Sequence, residues 1–276
     1  MTISGRTKVT GLFGYPVGHS LSPAMHNAAF SHLNLDYCYV TFNVRPELLR
    51  EAVHAIRALS LSGVNVTIPH KENVIPFLDR VDEEALFIGA VNTIKNSDGT
   101  LIGYNTDGRG FMESLKEAAI DPEGKRVMII GAGGASRAAS FYLAKKASQV
   151  LIYDIDKTKA GKLAADLNTV HPNVAVMDKP DSLHGIDILI NATPLGLKET
   201  DLMPVDISLI TAKTAVCDLI YKKTTLLRMA SDKGCITLDG SGMLLHQGAL
   251  AFKIWTGIKP PISVMRDALE GSKSNR

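Results

Sequence analysis

The 276-residue chain contains only three cysteines and one tryptophan, and it has no block of charge of one sign. Each shortage excludes something. Cys38, Cys217 and Cys235 are odd in number, widely spaced and without a Cys-x-x-Cys pair. Neither a zinc site nor a dithiol redox pair is therefore expected, no metal ligand is assigned, and the thiols read as small core residues in a reducing compartment. No apolar run approaches the ~20 residues of a membrane-spanning helix, and residues 1–10 lack the apolar centre of a signal peptide. The expectation is a cytoplasmic protein with no membrane partner. Lysine and arginine number 30 against 28 aspartates and glutamates, a formal charge of +2 spread along the chain with no aromatic-basic interleaving, so nucleic acid is not an expected partner either. With 45% hydrophobic and 21% charged residues, the chain has the composition of a soluble globular protein long enough for two domains.

The stretch Gly63-Val64-Asn65-Val66-Thr67-Ile68-Pro69-His70-Lys71 reads as a short buried strand that stops at its proline. Alternation places Asn65 and Thr67 on one face and Val64, Val66 and Ile68 on the other, with Lys71 following at once. The pattern fits the floor of a binding cleft, and it fits equally an edge strand with a surface lysine.

Around it the chain alternates strands and helices. A strand over residues 7–15 leads through a turn-rich loop to Ser22-Pro23, read as an N-cap and a first-turn proline, with Met25, Ala28, Ala29 and Leu33 on one helical face. A strand over 37–44, a helix opened by Pro46, and a helical stretch carrying Val74, Phe77, Leu78 and Val81 follow. Next come a strand over 89–95, an Asn96-Ser97-Asp98-Gly99 hairpin turn and a strand over 101–104. Asn105-Thr106-Asp107-Gly108 is placed at the cap of a helix that crosses into a second α/β unit. That unit has strands at 126–130, 149–153, 174–176, 188–190 and 215–216, in doubly wound order. The last two helices have no sheet of their own and are expected to return to the first domain. The expected division is residues 1–104, completed by 241–276, and a Rossmann-like dinucleotide-binding domain over 105–240.

Gly131-Ala132-Gly133-Gly134-Ala135-Ser136 lies between a strand and a helix, the context of a dinucleotide-binding turn, with Ser136 where the third glycine usually stands. Asp154 ends the next strand about twenty residues on, where a carboxylate accepts hydrogen bonds from the adenosine ribose. Asp154 and Asp156 would repel a 2′-phosphate, and no arginine lies between them to hold one, so NAD is expected over NADP. Lys157 and Lys159 are the residues that could offset this, and Asp156 also reads as the N-cap of the following helix. Reduction of a carbonyl by a nicotinamide needs a proton donor. Lys71 is the candidate, with Asp107 as its partner, and Asp107 reads equally as a helix cap. Ser20, Ser22, Asn65, Thr67, Asn92 and Gln247 are uncharged hydrogen-bonding groups suited to a hydroxylated small molecule. His70 finds no partner and reads as structural.

Taken together, these segments resemble the shikimate dehydrogenase family in order and over nearly the whole chain. The matching motifs are Ser20-Leu21-Ser22-Pro23-Ala24-Met25-His26-Asn27, the strand through Lys71, Gly89-Ala90-Val91-Asn92-Thr93 and Gly103-Tyr104-Asn105-Thr106-Asp107-Gly108. The Gly131 turn, Asn191-Ala192-Thr193-Pro194-Leu195-Gly196, Asp218-Leu219-Ile220-Tyr221 and Asp239-Gly240-Ser241-Gly242-Met243-Leu244 with Gln247 continue the match. The resemblance implies Lys71 and Asp107 as the catalytic pair, and Ser20, Ser22, Asn65, Thr67, Asn92, Tyr221 and Gln247 as substrate-binding residues. It implies Gly131, Ala132, Gly133, Gly134, Ala135, Asp154, Thr193, Leu219 and Gly240 along a bound NAD or NADP. The implied activity is reversible reduction of 3-dehydroshikimate to shikimate in chorismate and aromatic amino-acid biosynthesis. The alternatives are an NAD-dependent quinate/shikimate or amino-shikimate dehydrogenase and a non-catalytic dinucleotide-binding regulator. A homodimer is a further expectation. The chain departs from relatives in carrying Asp154-Ile155-Asp156 where NADP users usually have Asn-Arg-Thr, as in the quinate/shikimate branch. Its Ser-x-Ser loop resembles the shikimate-specific members instead. After Tyr221 the segment Lys222-Lys223-Thr224-Thr225 is shortened and lacks the usual proline.

Overall fold

The structure is a computed structural model that describes residues 3–198 and 200–274, so the last two residues of the expected polar tail lie outside the described residues. In chain order the elements are β1 (Lys8–Gly14), α1 (Ser22–His32), β2 (Tyr37–Asn43), α2 (Leu49–Ala58), β3 (Gly63–Val66), β4 (Arg80–Val81), α3 (Glu83–Ile88), β5 (Thr93–Ser97), β6 (Thr100–Tyr104), α4 (Asp107–Glu117), β7 (Arg126–Ile130) and α5 (Gly134–Ala144). They continue as β8 (Gln149–Tyr153), α6 (Lys157–Asn168), β9 (Val174–Val176), β10 (Ile188–Asn191), β11 (Ala215–Asp218), α7 (Thr225–Asp232), β12 (Thr237–Leu238), α8 (Ser241–Thr256) and α9 (Ile262–Ser274). The α/β architecture expected from the alternation is present, with one six-stranded sheet in each of two compact units. The first unit comprises Met1–Thr106 with Leu245–Arg276, and the second comprises Asp107–Leu244.

In the first unit the strand order is β2-β1-β3-β5-β6-β4. β1 pairs in parallel with β2 and β3, whereas β5 runs antiparallel to both β3 and β6. β3 is thus an inner strand, buried at all four positions, which removes the edge-strand reading. Its apolar side chains Val64 and Val66 join Phe13, Val53, Ile56, Ile94 and Leu101 in one core cluster. α2 contributes Leu49, Val53 and Ile56 from one helical stripe. An aromatic set contributed by α1, β2 and α8 includes Phe30 stacked on Phe252 at 5.2 Å and Tyr39 tilted against Trp255 at 6.0 Å.

Several local expectations are corrected. Ile68 does not fill the core and is 74% exposed, because the strand ends at Val66 and the chain turns, with His70 N donating to Thr67 O at 2.9 Å. Residues 74–81 do not form one helix. Pro76 lacks the N–H an α-helix needs and disfavours helix at Ile75, so the stretch is a 3-10 turn over Ile75–Phe77 followed by β4, which carries Val81. The α-helix comes later, as α3, capped by Asp82 accepting from Glu84 N and ended by left-handed Gly89. Ser22 is the first residue of α1, not its N-cap; its N–H donates to Ser20 Oγ at 3.2 Å. Asp107 is likewise the first residue of α4. The hairpin turn is as expected, with left-handed Asp98 and Gly99 between the paired Ser97 and Thr100.

The second unit has the parallel order β12-β11-β10-β7-β8-β9, the doubly wound arrangement with its switch point between β7 and β10. Its core cluster includes Met128, Ile130, Leu189, Val216, Leu226 and Leu227. The three cysteines are buried free thiols, as small core residues should be. No helix among the described residues is long and apolar enough to cross a membrane.

Within the first unit α8 is pinned to the sheet at Gly63. The Trp255 indole donates to Ile94 O at 3.0 Å, and a Cβ at Gly63 would lie 2.3 Å from that carbonyl oxygen and 2.5 Å from the indole nitrogen. Gly63→Ala is therefore expected to cost about 2–3 kcal/mol, read as a lowered thermal midpoint. Gly5→Ala, which meets nothing within 4 Å, should leave the midpoint unchanged.

Candidate active site

In the first unit most of the expected uncharged residues fall into one buried hydrogen-bonded network. Asn65 leaves β3 with its amide nitrogen donating to Asn92 O at 3.1 Å and to Thr93 Oγ1 at 3.0 Å, while its Oδ1 accepts from Tyr39 OH at 2.9 Å. Asn92 precedes β5. Its Oδ1 accepts from Thr106 N at 2.9 Å and from Thr93 Oγ1 at 3.0 Å, and its amide nitrogen donates to Gln247 Oε1 on α8 at 3.3 Å. Ser20 and Ser22 share the bond noted above, and Ser22 also hydrogen-bonds to Tyr39. Thr67 is half-buried, its methyl packed against Gly14. A polar cluster this deep holds its side chains in single orientations, because any rotation leaves a buried donor or acceptor unpaired.

Lys71 is set by its backbone. Its carbonyl accepts from Val91 N at 2.8 Å, which fixes the lysine one residue from Asn92 in the facing segment. His70, fully buried beside it, places Nε2 at 2.7 Å from Val44 O, so the ring tethers the 67–71 turn and serves a structural role.

In the second unit Gly131 takes a left-handed φ of +106°, and a Cβ there would lie 3.0 Å from Ala192 O. The turn therefore needs glycine. Gly133 is the N-cap of α5 and has open space around its Cα, and no side chain caps that helix. The first-turn N–H groups of α5 are thus left for an anion, which fits a dinucleotide pyrophosphate. Ala132 N donates to Asp154 Oδ2 at 2.7 Å and Asp156 N to Oδ1 at 2.8 Å, so the carboxylate at the end of β8 braces the turn and keeps further lone pairs for ribose hydroxyls. Asp156 does cap α6, accepting from Thr158 N and Lys159 N. Gly134 and Ala135 begin α5, and Ser136 is fully buried with no hydrogen-bond partner for its hydroxyl.

The loops that follow β10 and β11 are tied together by Asp218, 1% exposed. Its Oδ1 accepts from Ile220 N at 3.1 Å and Asn191 Nδ2 at 3.2 Å, and its Oδ2 from Thr224 Oγ1 at 2.8 Å. Burial pushes the carboxyl above the usual aspartate range, and these three donors oppose the rise. Asn191 Oδ1 accepts from Thr193 N at 3.1 Å and Thr193 Oγ1 at 2.7 Å, and Leu219 N donates to Asn191 O. The segment after Tyr221 is tied in here, since Thr224 both caps α7 and reaches Asp218. At Gly240 a Cβ would lie 2.2 Å from Leu219 O and 2.8 Å from the ring of Tyr221, which is half exposed.

Ser20, Ser22, Asn65, Thr67, Lys71, Asn92 and Gln247 thus belong to the first unit, whereas Asp107, Gly131, Asp154, Thr193, Leu219, Tyr221 and Gly240 belong to the second. Sequence reasoning missed Tyr39, Thr93, Asn191, Asp218 and Thr224 as working parts of these networks. The Asn191 and Asp218 motifs were visible, but their side chains meet across 27 residues, which no local pattern displays. Among the described residues no cluster of three or more histidine, cysteine or acidic side chains could hold a metal ion.

A doubly wound unit with a glycine turn at its first strand and a braced carboxylate at its second defines a dinucleotide-binding protein, joined here to an α/β unit carrying a buried network of uncharged polar groups beside a lysine. Comparison with known proteins narrows that class. Family models match as the shikimate dehydrogenase substrate binding domain over residues 12–94, shikimate / quinate 5-dehydrogenase over 113–197, and the shikimate 5′-dehydrogenase C-terminal domain over 240–270. The shikimate dehydrogenase (NADP(+)) of Desulforamulus reducens is 46% identical over 97% of this chain and 96% of its own. A crystal structure of a shikimate dehydrogenase in complex with NADP+ superposes with a TM-score of 0.93 at 42% identity, covering 98% of this chain and 97% of the other. The shikimate 5-dehydrogenase of Listeria monocytogenes, solved with shikimate and NAD, gives 0.91 at 37% identity and 98% coverage of both chains. The chain belongs to the shikimate dehydrogenase family.

Removing Asp218 strands two buried donors, Asn191 Nδ2 and Thr224 Oγ1, and the half-buried Ile220 N–H. Asp218→Ala is expected to cost about 3 kcal/mol and Thr224→Val about 1 kcal/mol, both read as lowered midpoints in thermal melting of the full chain.

Proposed function

We propose that the protein catalyses the reversible reduction of 3-dehydroshikimate to shikimate, with Lys71 as proton donor to the carbonyl oxygen and Asp107 as the carboxylate that orients it. The observation that carries this reading is the placement of Lys71 by Val91 N, directly beside the buried Asn65 and Asn92 network, in a member of this family. Ser20, Ser22, Asn65, Thr67, Asn92, Tyr221 and Gln247 hold the carboxylate and hydroxyls of the ligand. An uncharged set of this kind binds a polyhydroxylated ring without the desolvation cost of burying further charge. A bound nicotinamide dinucleotide supplies the hydride. The turn over 131–135 with the N-terminus of α5 holds its pyrophosphate, Asp154 its adenosine ribose, and Thr193, Leu219 and Gly240 its nicotinamide end. In the reduction Lys71 in its ammonium form gives a proton to the oxygen as the carbonyl becomes an alcohol, and in the oxidation the neutral amine takes it back.

NAD is the proposed cofactor over NADP. The residues that flank the ribose carry Asp154 and Asp156, and Ile155 between them is 92% exposed where an arginine would have to stand to hold a 2′-phosphate. The nearby cations are already engaged. Lys157 Nζ lies 2.8 Å from Asp178, Lys159 Nζ lies 3.8 Å from Asp156, and Arg137 on α5 is bound by Asp166 on α6.

Purified protein assayed with shikimate and with quinate, each with NAD and NADP, is expected to turn over shikimate with NAD best. No turnover of either substrate with either cofactor would favour a dinucleotide-binding regulator. Lys71→Ala should lower kcat by about 10²–10⁴-fold with little change in shikimate KM, and an active variant would remove Lys71 from the proton step. Converting Asp154, Ile155 and Asp156 together to Asn, Arg and Thr should shift the ratio of kcat/KM for NADP over NAD upward by about 10- to 100-fold. An unchanged ratio would reject the acidic pair as its determinant.

A further inference from the structure

Tyr39 is given no ligand group to hold in the reading above, yet its backbone, ring and hydroxyl are each held by a neighbour. It lies in the middle of β2 and is 1% exposed. Its backbone is bracketed by the side chain of Asn27, which accepts from Tyr39 N at 2.8 Å and donates to Tyr39 O at 2.9 Å. Its ring is stacked on His26 at 4.4 Å with the planes 12° apart, and tilted against Trp255 on the α8 side. His26 is itself fully buried with no hydrogen-bond partner at either ring nitrogen, and burial pushes its pKa down to about 3, so it acts as a neutral aromatic plate at working pH. Burial also raises the Tyr39 phenol well above its ordinary range, so the phenol keeps its proton and donates. Packing of this kind on backbone, ring and hydroxyl leaves Tyr39 one orientation.

That orientation aims the hydroxyl at Asn65 Oδ1, 2.9 Å away, while Ser22 hydrogen-bonds to the same phenol. Both N–H bonds of the Asn65 amide are already committed, to Asn92 O and Thr93 Oγ1. An amide has two donors and two acceptor lone pairs, so one lone pair on Oδ1 is all that Asn65 retains for a ligand. The opposite amide face would set Oδ1 against the Asn92 carbonyl, acceptor against acceptor.

We propose that Tyr39 is a positioning residue that fixes the amide of Asn65 so that it presents only an acceptor, and so makes Asn65 a reader of a hydroxyl donor on the ligand, with Ser22 held to the same anchor. This deepens the functional reading above and rests on it for the identity of the ligand. A ligand carrying an ether or carbonyl oxygen at that point meets acceptor against acceptor and is rejected.

The test is Tyr39→Phe, which keeps the ring stack and removes only the hydroxyl. The variant is expected to raise shikimate KM about tenfold, with kcat and the dinucleotide KM each changed less than about threefold and the thermal midpoint close to wild type. An unchanged shikimate KM overturns the proposal, and so does an equal rise in both KM values, which would mark a general loss of structure. A second measurement needs no activity. In ¹⁵N spectra, with the Asn65 side-chain signals identified by their loss in Asn65→Asp, both amide protons should exchange slowly with solvent in the wild-type protein and about tenfold faster in Tyr39→Phe. Fast exchange of either in the wild type, or equal rates in the two proteins, overturns the proposal. Wild-type protein that fails to turn over shikimate would overturn the functional reading instead, leaving the exchange measurement to decide the role of Tyr39.

Discussion

The side chain of Asn65 is the point on which the first unit's polar interior depends. It stands on an inner strand where any unpaired polar atom would cost about 1–3 kcal/mol, and it satisfies that demand by linking three segments. Tyr39 on β2, the carbonyl of Asn92 and the hydroxyl of Thr93 all close on the one amide. Because Asn92 is in turn bound by Thr106 and Gln247, the network reaches from the edge of the sheet to α8. A hydrogen-bonded interior held this firmly can recognise hydroxyl groups by position, since its own side chains have little freedom to adapt to a poorer ligand.

The second unit solves a related problem with charge. Asp218 is buried among three donors and fastens the loops after β10 and β11 to one another. Asp154 does the same for the turn after β7 through Ala132 N. In each case a carboxylate at the end of a parallel strand converts a flexible connection into a defined one, where doubly wound sheets bind ligands. In the proposed function the same Asp154 that braces the turn also selects at the ribose, and on that reading the stability of the turn and the choice of cofactor are not independent.

Much of the fold was legible because it rests on local chemistry. The strand–glycine turn–helix–strand run from β7 to β8, the Asp98-Gly99 hairpin and the Asp156 cap each follow from residues within a few positions of one another. The errors arose where two local signals competed. Apolar spacing over residues 74–81 suggested a helix, but Pro76 prevented it, and the capping signals of Asp82 and Gly89 one turn later marked the helix that forms. Ile68 continued the strand alternation, but the chain had already turned after Val66.

The sequence by itself determined the family, the two α/β units in outline, the glycine turn and the residue types available for chemistry. It did so because these depend on short-range spacing and on ordered motifs. The tertiary structure alone decided what each polar side chain faces. Tyr39 reads in sequence as an ordinary aromatic in a strand, 26 residues from Asn65, and Gln247 lies 155 residues from Asn92. Only folding brings these atoms to hydrogen-bond distance, and a buried amide's remaining capacity is known once all its other partners are in place. For the same reason Asn65, legible from the outset as a polar group at a strand's end, became an acceptor of defined direction only when its neighbours were seen.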